Sequence, residues 1–266
     1  MWRQVLLIAV TIAALAPLSF MLLTSLKTPQ DYAEHPLGLP SSPTLSNYVS
    51  ALTEVPTLRW AVNSLVVTVV AVLVSSTIAA LAAYAVAFGR FRGRSIVLSS
   101  AIGFIMVPPV VLLLPMFVVM VNLHLVNRLW SVMLFYSCLL VPFAMFFLVN
   151  FFQSVPRELI EASVMDGAGP LRTLRSVVLP LSRPALVTIA VVNAVWAWNE
   201  LLVALVFLQD ESQRTLMAGL TLLQGRYVSN QPLVLSVAVL SIVPVAVFYL
   251  FTQRSFVRGL TAGMGK

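Results

Sequence analysis

The sequence predicts an all-α membrane protein that crosses the bilayer six times, with both termini in the cytoplasm. Composition, the length of the apolar runs and the placement of basic residues carry that expectation. Of the 266 residues, 60% are hydrophobic and 9% charged, where a soluble domain carries roughly 25% charged residues. The mean hydropathy is +0.98. Six runs reach the length of about 20 apolar residues that a helix needs to cross the hydrocarbon core: residues 5–26, 61–88, 95–123, 129–152, 185–208 and 233–252. They are continuous and show no two-residue alternation, which argues against membrane strands. Termini and connections fall alternately on two sides. One side collects Arg3, Arg90, Arg92, Arg94, Arg157, Arg172, Arg175, Arg183, Arg254, Arg258 and Lys266. The other holds only Lys27, Arg59, Arg128, Arg214 and Arg226. Basic residues concentrate in cytoplasmic loops, so the richer side is the inner one. The pI of about 10.2 is then mainly a topology signal, and nucleic-acid binding is not expected.

The elements follow in order. The first run begins after one basic residue and is longer than the apolar segment of a signal peptide, usually about 7–15 residues; it reads as a retained span. The outer connection from Lys27 to Trp60 is rich in turn formers (Pro29, Pro36, Gly38, Pro40, Pro43, Pro56) and is expected to form an ordered cap rather than a separate domain. Pro108, Pro109 and Pro115 interrupt the third run, either as a kink or as backbone lining a cavity. Cys138, the only cysteine, lies in an apolar stretch and reads as a buried small hydrophobe, which excludes a disulfide framework. His35 and His124 are far apart on the outer side, and no metal site is expected. The fifth run carries the one charge inside any span, Glu200. An intramembrane acid faces the bundle interior and has a partner. It is either a pathway residue, together with Asn199 and Trp198, or a structural acid bonded to a neighbouring helix. Trp196 and Trp198 could stack on a ring-shaped substrate or simply pack.

The single long inner connection, residues 153–184, is unusually polar. Ser154 suits an N-cap and Pro156 a first turn. A helix can run from there to Asp166, with Gly167 stopping it at positive φ. Leu159, Ala162, Ser163 and Asp166 share one flat face by their spacing. A second helix fits 171–178, with Leu171, Leu174 and Val178 on one side, ended by Pro180 and Pro184. By spacing alone this is a helix–turn–helix at the membrane surface, possible simply as an elbow that orients the fifth span.

The residues of that connection resemble a known motif. Glu161-Ala162-Ser163, then Gly167 after three residues, then Val177, Leu179 and Pro180 match the signature loop of ABC importer permeases, whose usual form is E-A-A, three residues, G, nine residues, I-x-L-P. Ser163 replaces the second alanine and Val177 the isoleucine. Leu174 stands where an aromatic is usual in the sugar-importing branch. Asn47–Tyr48, Asn63–Ser64, Trp198-Asn199-Glu200 and the tail from Arg254 to Lys266 are similar to the carbohydrate-importer permeases, and the six-span form resembles the maltose-type second permease subunit. The resemblance implies one transmembrane permease domain over 1–266, with residues 153–184 as a coupling loop. In that loop Glu161, Ala162, Ser163, Asp166, Gly167 and Ala168 would meet a separate ATPase. It also implies a second permease subunit, an ABC ATPase dimer, an extracytoplasmic sugar-binding protein, surrounding membrane lipid and a prokaryotic cytoplasmic membrane. ATP and Mg would belong to the partner ATPase, with no cofactor in this chain. A phosphate loop needs G-x-x-x-x-G-K-[ST]; the nearest stretch, Gly259 to Lys266, lacks the first glycine and the hydroxyl. No catalytic constellation is evident. The competing class is a secondary carrier, which would show several intramembrane carboxylates and inverted repeats.

Overall fold

The structure, a computed structural model, describes residues 2–226 and 230–262, with side chains through Gln253. Among the described residues every regular element is helical. The helices are α1 (Trp2–Ser25), α2 (Pro29–Glu34), α3 (Ser46–Thr53), α4 (Thr57–Phe88), α5 (Arg94–Ile105), α6 (Pro109–Asn122) and α7 (Leu129–Phe152). Then come α8 (Arg157–Met165), α9 (Pro170–Thr173), a π turn (Leu174–Val178), α10 (Leu179–Leu181), α11 (Arg183–Asn199) and α12 (Leu202–Phe207). A 3-10 turn (Glu211–Gln213), α13 (Leu216–Arg226) and α14 (Gln231–Ala262) complete the chain. Four single helices are long and apolar enough to cross a membrane: α1, α4, α7 and α14 over Gln231–Gln253. Two bent pairs could raise that to six: α5 with α6, and Pro170–Leu181 with α11. The second, fourth and sixth expected runs each sit within one helix.

The third and fifth runs do not. Between α5 and α6 the axis turns by 100°. Pro109 excludes the helical region for the residue before it, and Pro108 accordingly sits extended at φ −61, ψ 132. This is a break, sharper than a kink. Pro115, by contrast, lies inside α6. The fifth run ends its first helix at Asn199 and resumes at Leu202.

The connection over residues 153–184 also differs from expectation. Ser154 does not cap α8: its hydroxyl donates back to Phe151 O at 2.6 Å, and α8 begins at Arg157 after Pro156. Pro180 does not end the second helix, which continues to Leu181. The π turn before it widens the helix, with Leu179 N–H reaching Leu174 O, and a widened turn relieves the clash of a proline ring with the preceding carbonyls. The bend, 81°, falls at Ser182.

The chain forms two compact units. The first comprises residues 1–64 and 210–246. Here α1 is apolar all round and exposed through Phe20, as expected of a helix bathed in lipid. Its end is tied down by polar groups. Asn47 Nδ2 donates to Ser25 O (2.8 Å) and Lys27 O (2.7 Å), and the Tyr48 and Ser25 hydroxyls lie 2.6 Å apart. Buried Lys27 donates to His35 O at 2.6 Å, which orders the connection after α1. At the start of α4, Trp60 Nε1 donates to Glu211 O (2.8 Å), Asn63 Nδ2 donates to Ser212 O (3.1 Å) and Arg214 O (2.9 Å), and Ser64 Oγ accepts from Leu216 N (2.8 Å). Gly219 lies so close to the Trp60 ring that a Cβ there would overlap it. The motif residues Asn47, Tyr48, Asn63 and Ser64 are therefore clasps that hold the turns around α3 and before α13.

The second unit, residues 65–209 and 247–266, contains a buried apolar core. Ala79, Ala83 and Val86 of α4, Ala101 of α5, Leu148 and Phe152 of α7, Leu174 and Val178 of the π turn and Ile189 of α11 meet there. Cys138 is exposed, on an outward face of α7, rather than buried.

Candidate functional site

Two places in the second unit carry the candidate residues. The first is the break between α11 and α12. Its backbone leaves the helical region at Glu200 (φ −67, ψ 128). A helix start leaves four N–H groups without intrahelical partners, and in hydrocarbon each unpaired group is costly. Glu200 supplies what is missing. Both carboxylate oxygens accept from Val203 N at 3.1 Å, and Oε2 also accepts from Ala204 N at 3.4 Å and from the Tyr136 hydroxyl. Tyr136 is fully buried on α7, and its ring meets Trp196 edge-on at 5.4 Å. The far end of α12 is clipped by Asn127: its N–H donates to Phe207 O at 2.9 Å and its side chain accepts from Gln209 N at 2.6 Å. Asn127 itself sits at φ 60, a conformation asparagine tolerates better than most residues.

This arrangement separates the expected trio. Glu200 turns onto the backbone of its own break. Trp198 is buried, and among the described residues neither its indole N–H nor the amide nitrogen of buried Asn193 has a partner. Asn199 is exposed, its side chain folded back on Val195 O at 2.8 Å. Sequence reasoning missed Tyr136. A signal existed: a buried tyrosine hydroxyl needs a partner, and the spans contain a single acid that needs one too.

The second place is the connection over residues 153–184. α8 closes in a Schellman motif: Gly167 N donates to Val164 O at 2.9 Å and Ala168 N to Ser163 O at 3.0 Å. Gly167 takes φ 79, as expected. The face predicted for α8 is divided. Leu159, Ala162 and Asp166 are exposed, as are Glu161 and Gly167, but Ser163 is half-buried and turned inward. Its hydroxyl lies 2.9 Å from that of Thr173. The side of α8 turned toward the core carries Ile160 and Ser163. Outward, Met165, Leu171 and Val164 are 87%, 68% and 58% exposed and make an apolar tip beside the Gly167 turn. Leu171 thus parts from Leu174 and Val178, which are buried. Glu161 and Asp166 form no ion pair among the described residues.

Comparison with known proteins bears on both places. A family model described as binding-protein-dependent transport system inner membrane component matches residues 75–261. The sulfoquinovosyl glycerol transport system permease protein SmoH of Agrobacterium fabrum is 37% identical over 94% of this chain and 88% of its own length. The trehalose/maltose transport system permease protein MalG of Thermococcus litoralis is 33% identical over 96% of this chain and 93% of its own. Among solved structures, a chain of a bacterial ABC transporter involved in the import of the acidic polysaccharide alginate superposes with a TM-score of 0.80, at 26% identity, over 96% of this chain and 95% of that one.

Proposed function

The chain belongs to the family of binding-protein-dependent transport system inner membrane components, and from that premise we propose that it is one permease half of an ATP-driven carbohydrate importer. It is a permease and not an enzyme; a separate subunit hydrolyses ATP. In this reading six spans cross the cytoplasmic membrane of a prokaryote with both termini inside. A second permease subunit completes the pathway, an ABC ATPase dimer holds ATP and Mg, and an extracytoplasmic binding protein delivers the sugar. The relatives named above support a carbohydrate substrate. Their substrates differ, so the class is proposed and not the sugar. A secondary carrier is disfavoured, because the one intramembrane acid is occupied in capping a helix break.

The observation that carries the coupling assignment is the exposed apolar tip at the Gly167 turn, on a loop otherwise polar. Glu161, Ala162, Asp166, Gly167 and Ala168 frame it. Replacement of Gly167 by leucine tests this. No atom lies within 4 Å of a Cβ built there, so the effect is conformational: about 1–2 kcal/mol for a side chain at positive φ. The expected result is normal membrane abundance with weakened ATPase association and reduced ATP-driven uptake in proteoliposomes. Unchanged uptake and ATPase stimulation, in this variant and in Ala162→Trp, would reduce the loop to an interfacial elbow. For the topology, a cysteine at Ser41 is expected to label from outside, and one at Gly93 or Ser176 only after permeabilisation.

A further inference from the structure

A loop that passes motion from a partner into the membrane helices has to be stiff. α8 has no reason to be stiff by itself. It is nine residues long with no buried residue, and isolated helices shorter than about 12–15 residues are marginal in water. The link to α9 runs through Gly167 and Gly169, where little side-chain bulk restrains the backbone.

Two contacts hold α8 in place, and they lie one turn apart on its inner face. Ile160 packs, half-buried, against the core of the second unit. Ser163 meets Thr173 hydroxyl to hydroxyl at 2.9 Å. Among the described residues this is the side-chain hydrogen bond that joins α8 to α9. Thr173 is fully buried and its N–H donates to Gly169 O at 3.0 Å. The next residue, Leu174, and Val178 one turn later are both core residues, in the cluster that holds Leu148 and Phe152 of α7 and Ile189 of α11.

We propose that Ser163 and Thr173 are positioning residues for coupling: their hydroxyl pair locks the two short helices into one lever, so that displacement of the exposed tip reaches Leu174 and Val178 instead of being absorbed at the Gly167–Gly169 turn. The proposal rests on the docking reading given above. It assigns a reason for the departure at position 163, where the resembled motif has alanine. An alanine could neither donate to nor accept from Thr173, whose hydroxyl would then keep Tyr84 of α4 as its side-chain partner and lose its link to α8.

The test uses the whole importer, reconstituted in liposomes with its binding protein. Substrate uptake and ATP hydrolysis are measured on the same preparation for Ser163→Ala, Thr173→Val, the double variant and Ser163→Thr. A net hydrogen bond is worth a factor of roughly five in an equilibrium, and a loss of about that size is expected in substrate moved per ATP in each single variant. The double variant is expected to be no worse than either single one, and Ser163→Thr, which keeps the hydroxyl, to stay close to the parent. ATPase association is expected to persist, and amide exchange over residues 160–168 to accelerate in Ser163→Ala. An unchanged transport ratio in Ser163→Ala and Thr173→Val overturns the proposal. So does loss of the bound ATPase in those variants, since the pair would then maintain the docking surface and not the transmission. Failure of the parent chain to hold an ATPase at all refutes the docking reading itself, and the lever with it.

Discussion

Two carboxylates in this molecule perform the same local task in different surroundings. Glu200 accepts from two backbone N–H groups and the Tyr136 hydroxyl at a helix break inside an apolar run. Asp31 accepts from Ser41 N (3.0 Å) and Ser41 Oγ (2.8 Å) in the connection after α1. Each pins a bend by taking two or three hydrogen bonds. The difference lies in what replaces those bonds when the carboxylate is removed. Around residues 31–41 water can take over, and net hydrogen-bond contributions in water are small. Around Glu200 the surroundings are helix and hydrocarbon, where an unpaired N–H costs several times more. The worth of a polar contact here is set by its alternative, not by its length.

The largest consequence falls on Glu200→Ala. It removes the partner of Tyr136 and of both backbone donors at once. Charged hydrogen bonds contribute roughly 1.5–3 kcal/mol, so a loss on the order of 3 kcal/mol is expected, about a hundredfold in the occupancy of the capped arrangement. Uptake is expected to fall at least tenfold by that estimate, well beyond any fall in membrane abundance, with Glu200→Gln in between because its amide oxygen still accepts. Parental uptake and an unchanged melting temperature in the alanine variant would remove the acid from both fold and transport.

Tyr136→Phe sharpens the comparison at smaller cost. It deletes one of the three donor groups and leaves the backbone cap in place, with the Trp196 edge contact kept by the ring. A loss of roughly 1.5 kcal/mol is expected, the lower end for a single hydrogen bond to a charged group, read as a melting temperature lowered by a few degrees for a chain of this size. An effect equal to that of Glu200→Ala would mean that the tyrosine, and not the backbone cap, is the reason for the acid.

The two interrupted apolar runs show why one break was legible and the other was not. Pro108–Pro109 announces itself, because a proline forces its predecessor out of the helical region; only the size of the turn, 100°, was underestimated. Single prolines gave weaker information. Pro17, Pro115, Pro142 and Pro244 all lie within helices, and Pro180 is accommodated by a π turn that depends on tertiary packing. At Trp198-Asn199-Glu200-Leu201-Leu202 there is no glycine or proline to mark a break, and its existence follows from a carboxylate reaching forward to Val203. The charge was visible in the sequence, its partner on α7 was not, since residues 136 and 200 meet only in three dimensions. In the 153–184 connection the Gly167 stop was legible from composition, and Leu159, Ala162 and Asp166 of the flat face are exposed. That Ser163, at the edge of that face, turns inward is revealed only by its contact with Thr173.

The smallest effect is expected at Asp31, and it has a definite sign. The Ser41 hydroxyl, then the Ser41 amide, hold its carboxyl below the usual carboxylate range; Lys27 and His35 act in the same direction and partial burial opposes them. A carboxylate whose folded pKa lies below its unfolded one stabilises the fold fully above the unfolded value, about pH 4. That contribution is lost as pH falls through the depressed folded value. Amide exchange at Ser41 is therefore expected to be independent of pH-induced opening between about pH 5 and pH 8, and to accelerate beyond its intrinsic pH dependence only below about pH 4. Asp31→Asn should abolish that acid-induced step while leaving α2 formed, because Thr28 Oγ1 still accepts from the backbone N–H of residue 31 (3.2 Å in the parent chain). Uptake near neutral pH should be close to the parental rate in this variant. A collapse of uptake comparable to Glu200→Ala would break the comparison, because it would show that the connection after α1 is as poorly supplied with alternative partners as the helix break inside the span.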